Sequence, residues 1–366
     1  MAIAQTSIRT LLVFLMLAVP VISFAQEHGE AHSDVKDGKK FDPKELINSH
    51  VWDSHEFHIA DWSNNPITLA LPIILWTDNG LTVFSSSEFH HDNEGEHVVE
   101  KNGNKFVKYK EHIFYADKFD KEKFEEASTM ARPFMYGDRP LDFSITKTVF
   151  SMFVVSLILI IVFSISARHY KKNKMAPKGV SGFLEPVILF VRDEIARPNI
   201  GTKYKKYMPL LLTVFFFIWL NNLVGLIPFF PFSGNVTGNI IFTFVLALIV
   251  FIATIFSGNK YYWKHILTPD VPKALYPIMI PIEIIGMFTK PFALMVRLFA
   301  NITAGHIIIL SLVGLIFIFE TAAISPVSIV FVLFMSILEL LVAALQAYVF
   351  TLLAALFIGQ AVEEHH

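Results

Sequence analysis

Arg297 stands inside an apolar run, between Met295-Val296 on one side and Leu298-Phe299-Ala300 on the other. Burying an ionisable side chain in hydrocarbon is costly, so the few that occur there mark pathways or pairs. In the last third of the chain such polar groups are Glu283, Lys290, Arg297, Asn301 and His306 in one run, and Glu339 and Gln346 in the next. A guanidinium stays protonated, so Arg297 does not carry protons. What it supplies is a positive potential that favours the ionised form of an approaching carboxylate. Its immediate neighbours include no acid.

Helical geometry sorts these residues. At 100° per residue, Glu283, Lys290, Arg297 and Asn301 fall within about 40° of one another, a polar stripe on one face. His306 falls about 180° from Arg297 and belongs to a different face. Glu339 and Gln346, seven apart, share a face of the last run. A histidine supplies a group of near-physiological pKa, so His306 and Glu339 together would make a titratable pair on the exported side. Rival uses exist: Arg297 paired statically with Glu339, Lys290 snorkelling to an interface, and Glu283 solvated at its end of the helix.

The elements that carry these groups are membrane spans. Hydrophobic residues make up 54% of the 366 and charged residues 17%, against about a quarter charged in soluble domains. Phe143 to Ala167 is the first convincing span, and the basic run Arg168 to Lys174 behind it marks the cytoplasmic side. Gly182 to Ile200 reads as an amphipathic helix on the cytoplasmic face. Tyr207 to Ile227 and Ile240 to Phe256 form a hairpin whose far loop carries no charge, while lysines flank its near ends. Ile282 to about Phe319 would make a helix of roughly 55 Å, and Val327 to Gly359 one of about 50 Å. Both exceed a hydrocarbon layer of about 30 Å, so strong tilt, a bend or a run along the interface is expected, with Gly286 and Pro291 as bend points and Gly305 and Gly314 as further relief. A short exported loop is expected around Ser325-Pro326, and a cytoplasmic C-terminus after it.

The N-terminal third differs in character. Arg9, the apolar run Leu11 to Ile22 and the small-residue pattern Ser23-Phe24-Ala25 predict a signal peptide over 1–25, with an uncleaved anchor as the alternative. Residues 26–141 hold nine of the 14 histidines and several short strand-like runs, among them Ile67 to Trp76, Leu81 to Phe84 and Lys105 to Phe114. Turn signals separate them, and Asp78-Asn79-Gly80 predicts a hairpin. A small β-rich extracytoplasmic domain follows, with a leader from Glu27 to Lys40 read as flexible and a core around Trp52, Trp62 and Trp76. Metal binding by His55, His58, His90, His91 and His97 is the lesser reading, because their spacings match no tight site and the chain has no cysteine; surface histidines are expected. The overall expectation is an all-α membrane protein over 142–366, of about five transmembrane helices plus the amphipathic one.

Met295 to His306 resembles the arginine helix of subunit a of F-type ATP synthases. Glu339, with Leu345-Gln346-Ala347-Tyr348-Val349-Phe350, is similar to that family's final helix. Tyr207-Met208-Pro209-Leu210 and Asn221 to Pro228 resemble the first span of its central hairpin. The resemblance covers about Phe143 to the C-terminus and leaves 26–141 outside it.

That resemblance implies a proton-translocating stator subunit in the cell inner membrane, with no catalysis of its own and no cofactor. Arg297 would face the carboxylate of a rotating c-ring. Asn301, His306, Glu339 and Gln346 would line the half-channel from the exported side, and Glu283 the cytoplasmic exit. Partners would be the c-ring, the subunit b stalk and the remaining subunits. Many bacterial members exchange the two residue types at His306 and Glu339, which keeps one acid and one imidazole. No Gly-rich loop followed by Lys-Ser or Lys-Thr is present, so nucleotide chemistry belongs to partners. The rival function is a standalone channel or secondary transporter, disfavoured by few spans and no internal repeat.

Overall fold

The computed structural model describes residues 53–62, 65–126, 139–172, 179–227, 234–268, 271–319 and 325–363. The leader expected over 1–25 lies outside them, as do Trp52 and the side chains of His58 and Trp62. The chain divides into two compact units, with the boundary between Met152 and Phe153.

The first unit is built from short antiparallel strands. Strand β1 (Glu56–Trp62) pairs with β2 (Asn65–Ala70). A three-stranded sheet has the order β4-β3-β8, from β3 (Pro72–Thr77), β4 (Gly80–Ser85) and β8 (Leu141–Asp142). A second has the order β5-β6-β7, from β5 (Glu94–Lys101), β6 (Asn104–Tyr109) and β7 (His112–Tyr115). A short helix, α1 (Lys121–Glu126), follows. The expected hairpin at Asp78-Asn79-Gly80 forms, closed by Gly80 at a φ of 98°. Ile67 to Trp76 is two strands and not one, because Leu71 donates its N–H to the carbonyl of His55 and the run divides before Pro72.

Lys105 to Phe114 likewise folds back on itself. Lys110 and Glu111 both take positive φ, 46° and 61°, in a two-residue turn between β6 and β7. Such backbone is unfavourable for non-glycine residues. It is held here by Glu111 N–H donating to Asn93 Oδ1 at 2.7 Å, and it aims the Glu111 carboxylate inward. There His55 is buried, 3.8 Å from Glu111 and 3.6 Å from Asp142. Lys108 is buried beside them, 3.5 Å from Glu56 and 4.0 Å from Glu111. Burial works against a charged imidazole, but the carboxylates of Asp142 and Glu111 outweigh it and hold His55 up to about 9. Against their own burial, pairing with His55 holds both carboxyls below their usual range. His112 is exposed at the start of β7; desolvation by its neighbours first, then the charges of Arg139 and His55, lower it to about 4.

Two expectations for this domain are corrected. His55 is an interior residue, not a surface one. Trp76 is exposed, because alternation along β3 turns Ile73 and Leu75 inward and Trp76 outward. The core is instead phenylalanine-rich, with Phe84, Phe89 and Phe106 against Ile73, Leu75, Val99 and Ile113. Among the described residues no three His, Asp or Glu side chains converge in an arrangement that would hold a metal ion.

The second unit is helical. Helix α2 (Lys147–Lys172) begins in the first unit and continues into the second. It starts at Lys147 and not Phe143, because the N–H groups of Phe143 and Ile145 are taken by the carbonyls of Ile74 and Pro72. Next come α3 (Val180–Phe190), a π-helical stretch Val191–Ala196, and α4 (Arg197–Ile200). Then follow α5 (Tyr204–Gly225), α6 (Ile240–Ser257), α7 (Lys260–Leu267), α8 (Tyr276–Phe319) and α9 (Ser325–Val362). Asn239 caps α6, its side-chain oxygen accepting from Ile241 N–H at 2.9 Å.

Among the described residues, five helical stretches are long and apolar enough to cross a membrane. The outer surface of α2 shows Leu157, Ile160, Ile161 and Ile165, apolar groups that suit lipid. The segment expected to lie at the interface as an amphipathic helix instead buries Leu184, Val191, Ile195 and Ile200 in one core with α5, α8 and α9. Its polar side carries Arg192 and Arg197 on Asp193, at 2.8 and 2.9 Å. Part of its apolar surface is therefore covered by protein, while Val180, Phe183, Leu189 and Phe190 stay exposed.

Helices α8 and α9 have 44 and 38 residues, about 66 and 57 Å at the usual rise. Helix α8 is one continuous helix through Gly286 and Pro291. Ser325 and Pro326 are not a loop but the opening of α9. Proline suits a first helical turn, where its missing N–H would have had no partner.

Candidate functional site

Helices α8 and α9 pack along one another, and every residue singled out by type and spacing lies on them. His306 Nδ1 and Glu339 Oε1 are 2.6 Å apart, linking the two helices. Glu339 is buried and His306 half-buried. Gly305 makes the approach possible. A Cβ added there would sit 2.9 Å from Glu339 Oε1 and 3.2 Å from its carboxyl carbon. Sequence periodicity offers Gly305 only as a flexible point in the helix; its role as a seat for Glu339 is visible only once the two helices are packed.

Arg297 lies nine residues before His306, about 14 Å along the axis. Its side chain is exposed, and among the described residues it has no hydrogen-bond or ion-pair partner. The static Arg297–Glu339 pair is thus not formed; Glu339 is held by His306. Ala293, Ala300 and Ala304 are exposed around Arg297, and Asn301 is exposed one turn beyond it. A surface of small residues lets another helix approach closely. Gln346 is buried on the same side of α9 as Glu339, Ala343 and Phe350.

Glu283 lies at the other end of α8, fourteen residues before Arg297 or about 21 Å. It lines a cavity of about 340 Å³, together with Tyr261, Tyr262 and His265 of α7, Lys290 of α8, and Gln360. Lys290 does not extend freely: its Nζ donates to Gln360 Oε1 at 2.9 Å and lies over the Phe357 ring. The chain end is fixed nearby, where Asn259 Nδ2 donates to the Val362 carbonyl at 2.9 Å. Neither Gln360 nor Asn259 stands out in the sequence, because both act through backbone or side chains distant along the chain.

Close packing supports this geometry. Helix α9 meets the carbonyl of Asn199 at Gly359, where any Cβ would collide with that backbone oxygen. Asn222 of α5 donates to the Ala343 carbonyl at 3.2 Å and accepts from Thr237 at 2.6 Å, all of it buried. A fixed cation thus stands between two titratable sites, a His–Glu pair on one side and a polar cavity on the other.

The family model described as ATP synthase A chain matches residues 149–359. A second, described as a domain of unknown function (DUF8433), matches residues 46–143. The chain is similar to ATP synthase subunit a of Chloroherpeton thalassium, 48% identical over 233 residues, which is 61% of this chain and 69% of the relative. It is also similar to ATP synthase subunit a 2 of Chlorobium luteolum, 43% identical over 279 residues, 74% of this chain and 79% of the relative. Against ATP synthase subunit a of Myxococcus xanthus the identity is 45% over 236 residues, 63% of this chain and 76% of the relative.

Proposed function

The chain belongs to the ATP synthase A chain family, and from that membership we propose how its own residues conduct protons as the stator subunit of the membrane sector. It is a multi-pass membrane protein and a component of the synthase, without catalysis of its own. Nothing in its geometry favours a standalone channel.

The observation that carries the proposed mechanism is the exposed, unpaired guanidinium of Arg297 between two titratable sites. Its counter-charge comes from a partner, the carboxylate on each subunit of the c-ring, one at a time. A proton arrives through His306 and Glu339, with Asn301 and Gln346 adjoining the path, and neutralises a ring carboxylate leaving Arg297. The neutral carboxyl can face lipid, whereas a charged one cannot without a large penalty. A carboxyl returning on the far side meets the positive potential of Arg297 and loses its proton towards the cavity at Glu283. The membrane potential contributes about 2.3 kcal/mol per charge per 100 mV, so several protons are needed for each ATP.

The proposed topology places the N-terminal domain in the periplasm and the C-terminus in the cytoplasm of the inner membrane. It is supported by the basic residues at the end of α2. The proposed parts are a leader over 1–25, an exported domain over 26–141 and a membrane domain over 142–366. Helices α8 and α9 accommodate their excess length by tilt. Contacts with the subunit b stalk and the remaining subunits are proposed on family membership alone.

Because the chain has no cysteine, disulfide trapping tests the ring contact directly. A cysteine in place of Ala300 should cross-link to a cysteine placed one turn from the ring carboxylate. Cross-linking only from the opposite face of α8 would contradict the proposal.

A further inference from the structure

The β4-β3-β8 sheet carries an outward face that is apolar at its centre, with Ser85, paired with Pro72 at one end, as its polar side chain. Trp76 is paired with Leu81 on one side and Leu141 on the other, and Ile74 with Val83. Phe143 continues the face of Leu141, its N–H bonded to the Ile74 carbonyl. Trp76, Leu81, Val83, Leu141 and Phe143 each leave more than half of their surface exposed. An antiparallel sheet with one solvated face normally alternates apolar-in with polar-out. Strand β5 is closer to that rule, exposing Glu94, Glu96 and Glu100 with Val98 among them. Here the inward face holds Ile73, Leu75 and Phe84 in the core, with Thr77 and Thr82 buried beside them, and the outward face is mainly apolar as well. A contiguous exposed apolar face of this kind marks a contact surface.

Its position identifies the occupant. Phe143 is four residues before Lys147, the first residue of the membrane helix α2, and an extended chain of four residues spans at most about 14 Å. The strand is also fixed to the base of that helix. Ile145 N–H donates to the Pro72 carbonyl, Lys147 N–H to the Ser54 carbonyl and Thr148 N–H to Asp53 Oδ1 at 3.0 Å. Phe57 of β1 meets Phe150 of the helix edge to face at 5.4 Å. The apolar sheet face is thus held beside the point where the chain enters lipid, and it presents an indole and a phenyl ring, groups that favour the membrane–water interface.

We propose that the apolar face of the β4-β3-β8 sheet rests on the lipid leaflet that α2 enters, so that the N-terminal domain is docked on the membrane surface. The inference requires α2 to be a membrane span and is independent of the proton path.

The cysteine-free chain allows the test on the full-length protein in lipid nanodiscs. Nitroxide labels are placed singly at Leu81→Cys, Leu141→Cys and, as a water-facing reference, Glu100→Cys. Collisions with oxygen and with a water-soluble nickel chelate are then compared. Docking predicts that the first two labels gain oxygen access and lose nickel access relative to the label at 100. Nickel access equal to that reference means a face in water, and low access to both reagents means a face covered by protein; either result overturns the proposal. A second measurement leaves the other face residues intact. Dibrominated lipid should quench the emission of Trp76, read as the difference between the native chain and Trp76→Phe, and an unquenched Trp76 overturns the proposal as well.

Discussion

His306 Nδ1 and Glu339 Oε1 meet at 2.6 Å across the α8–α9 interface, one side chain from each helix in a single polar contact. The proposed mechanism passes protons through this contact, so neither side chain should act alone. Glu339→Gln or His306→Ala should slow proton transfer by roughly a hundredfold, read as ATP-driven acidification of inverted membrane vesicles. The reciprocal exchange His306→Glu with Glu339→His keeps both groups and should recover a measurable fraction. If the exchange were as inactive as the single changes, the pair would not be the functional unit.

Gly305 is required by Glu339 more than by its own helix. In Gly305→Ala the new methyl would lie 2.9 Å from Glu339 Oε1, and overpacking of this kind costs about 1–3 kcal/mol. Proton pumping should fall while assembly persists. Combining Gly305→Ala with Glu339→Asp, whose shorter side chain draws back from the methyl, should pump better than Gly305→Ala alone. Normal pumping by Gly305→Ala would contradict the seat assigned to this glycine.

Gly359 tests the packing that holds α9 in place. A Cβ there meets the backbone oxygen of Asn199, which cannot rotate away. Gly359→Ala should lower the thermal stability of the detergent-solubilised protein, and Asn199→Ala should not rescue it, because the collision is with the main chain. Rescue by that side-chain change would show the contact to be misassigned.

The N-terminal domain should be most stable near pH 6.5. His55, held up to about 9, contributes stability that is complete below about 6.5 and is lost as pH rises through 9. Its shift corresponds to something on the order of 3 kcal/mol. His112, lowered to about 4 but exposed, contributes weakly and in the opposite sense: its share is complete above about 6.5 and is lost as pH falls towards 4. The lowered carboxyls of Glu111 and Asp142 lose their share on the acid side too. Hydrogen exchange of β3 to β7 in the intact protein, corrected for intrinsic rates, should show this maximum. His55→Gln should remove the alkaline decline; an unchanged decline would exclude His55 as its source.

Much of the membrane site was legible because lipid makes polar residues conspicuous. Arg297, His306, Glu339 and Gln346 are recognisable where they stand, and 100° per residue already separates His306 from Arg297. Contacts between helices were not legible, since no periodicity says that Gly305 will face Glu339 or that Lys290 will reach Gln360. The amphipathic pattern from Gly182 to Ile200 predicts a polar and an apolar side, but a pattern cannot tell a protein partner from a membrane surface. In the N-terminal domain the turn at Lys110-Glu111 carries no glycine or asparagine, so its strand was read as continuous. The buried charge cluster around His55 was hidden for the same reason: it depends on that turn and on Asp142, far along the chain.

Arg297 carries the central claim, and one measurement addresses it most directly. Inverted vesicles containing Arg297→Ala in the assembled synthase are tested for ATP-driven proton pumping, with assembly checked by co-purification of the other subunits. The mechanism predicts that pumping is abolished while the synthase remains assembled. Pumping retained by assembled Arg297→Ala would contradict it.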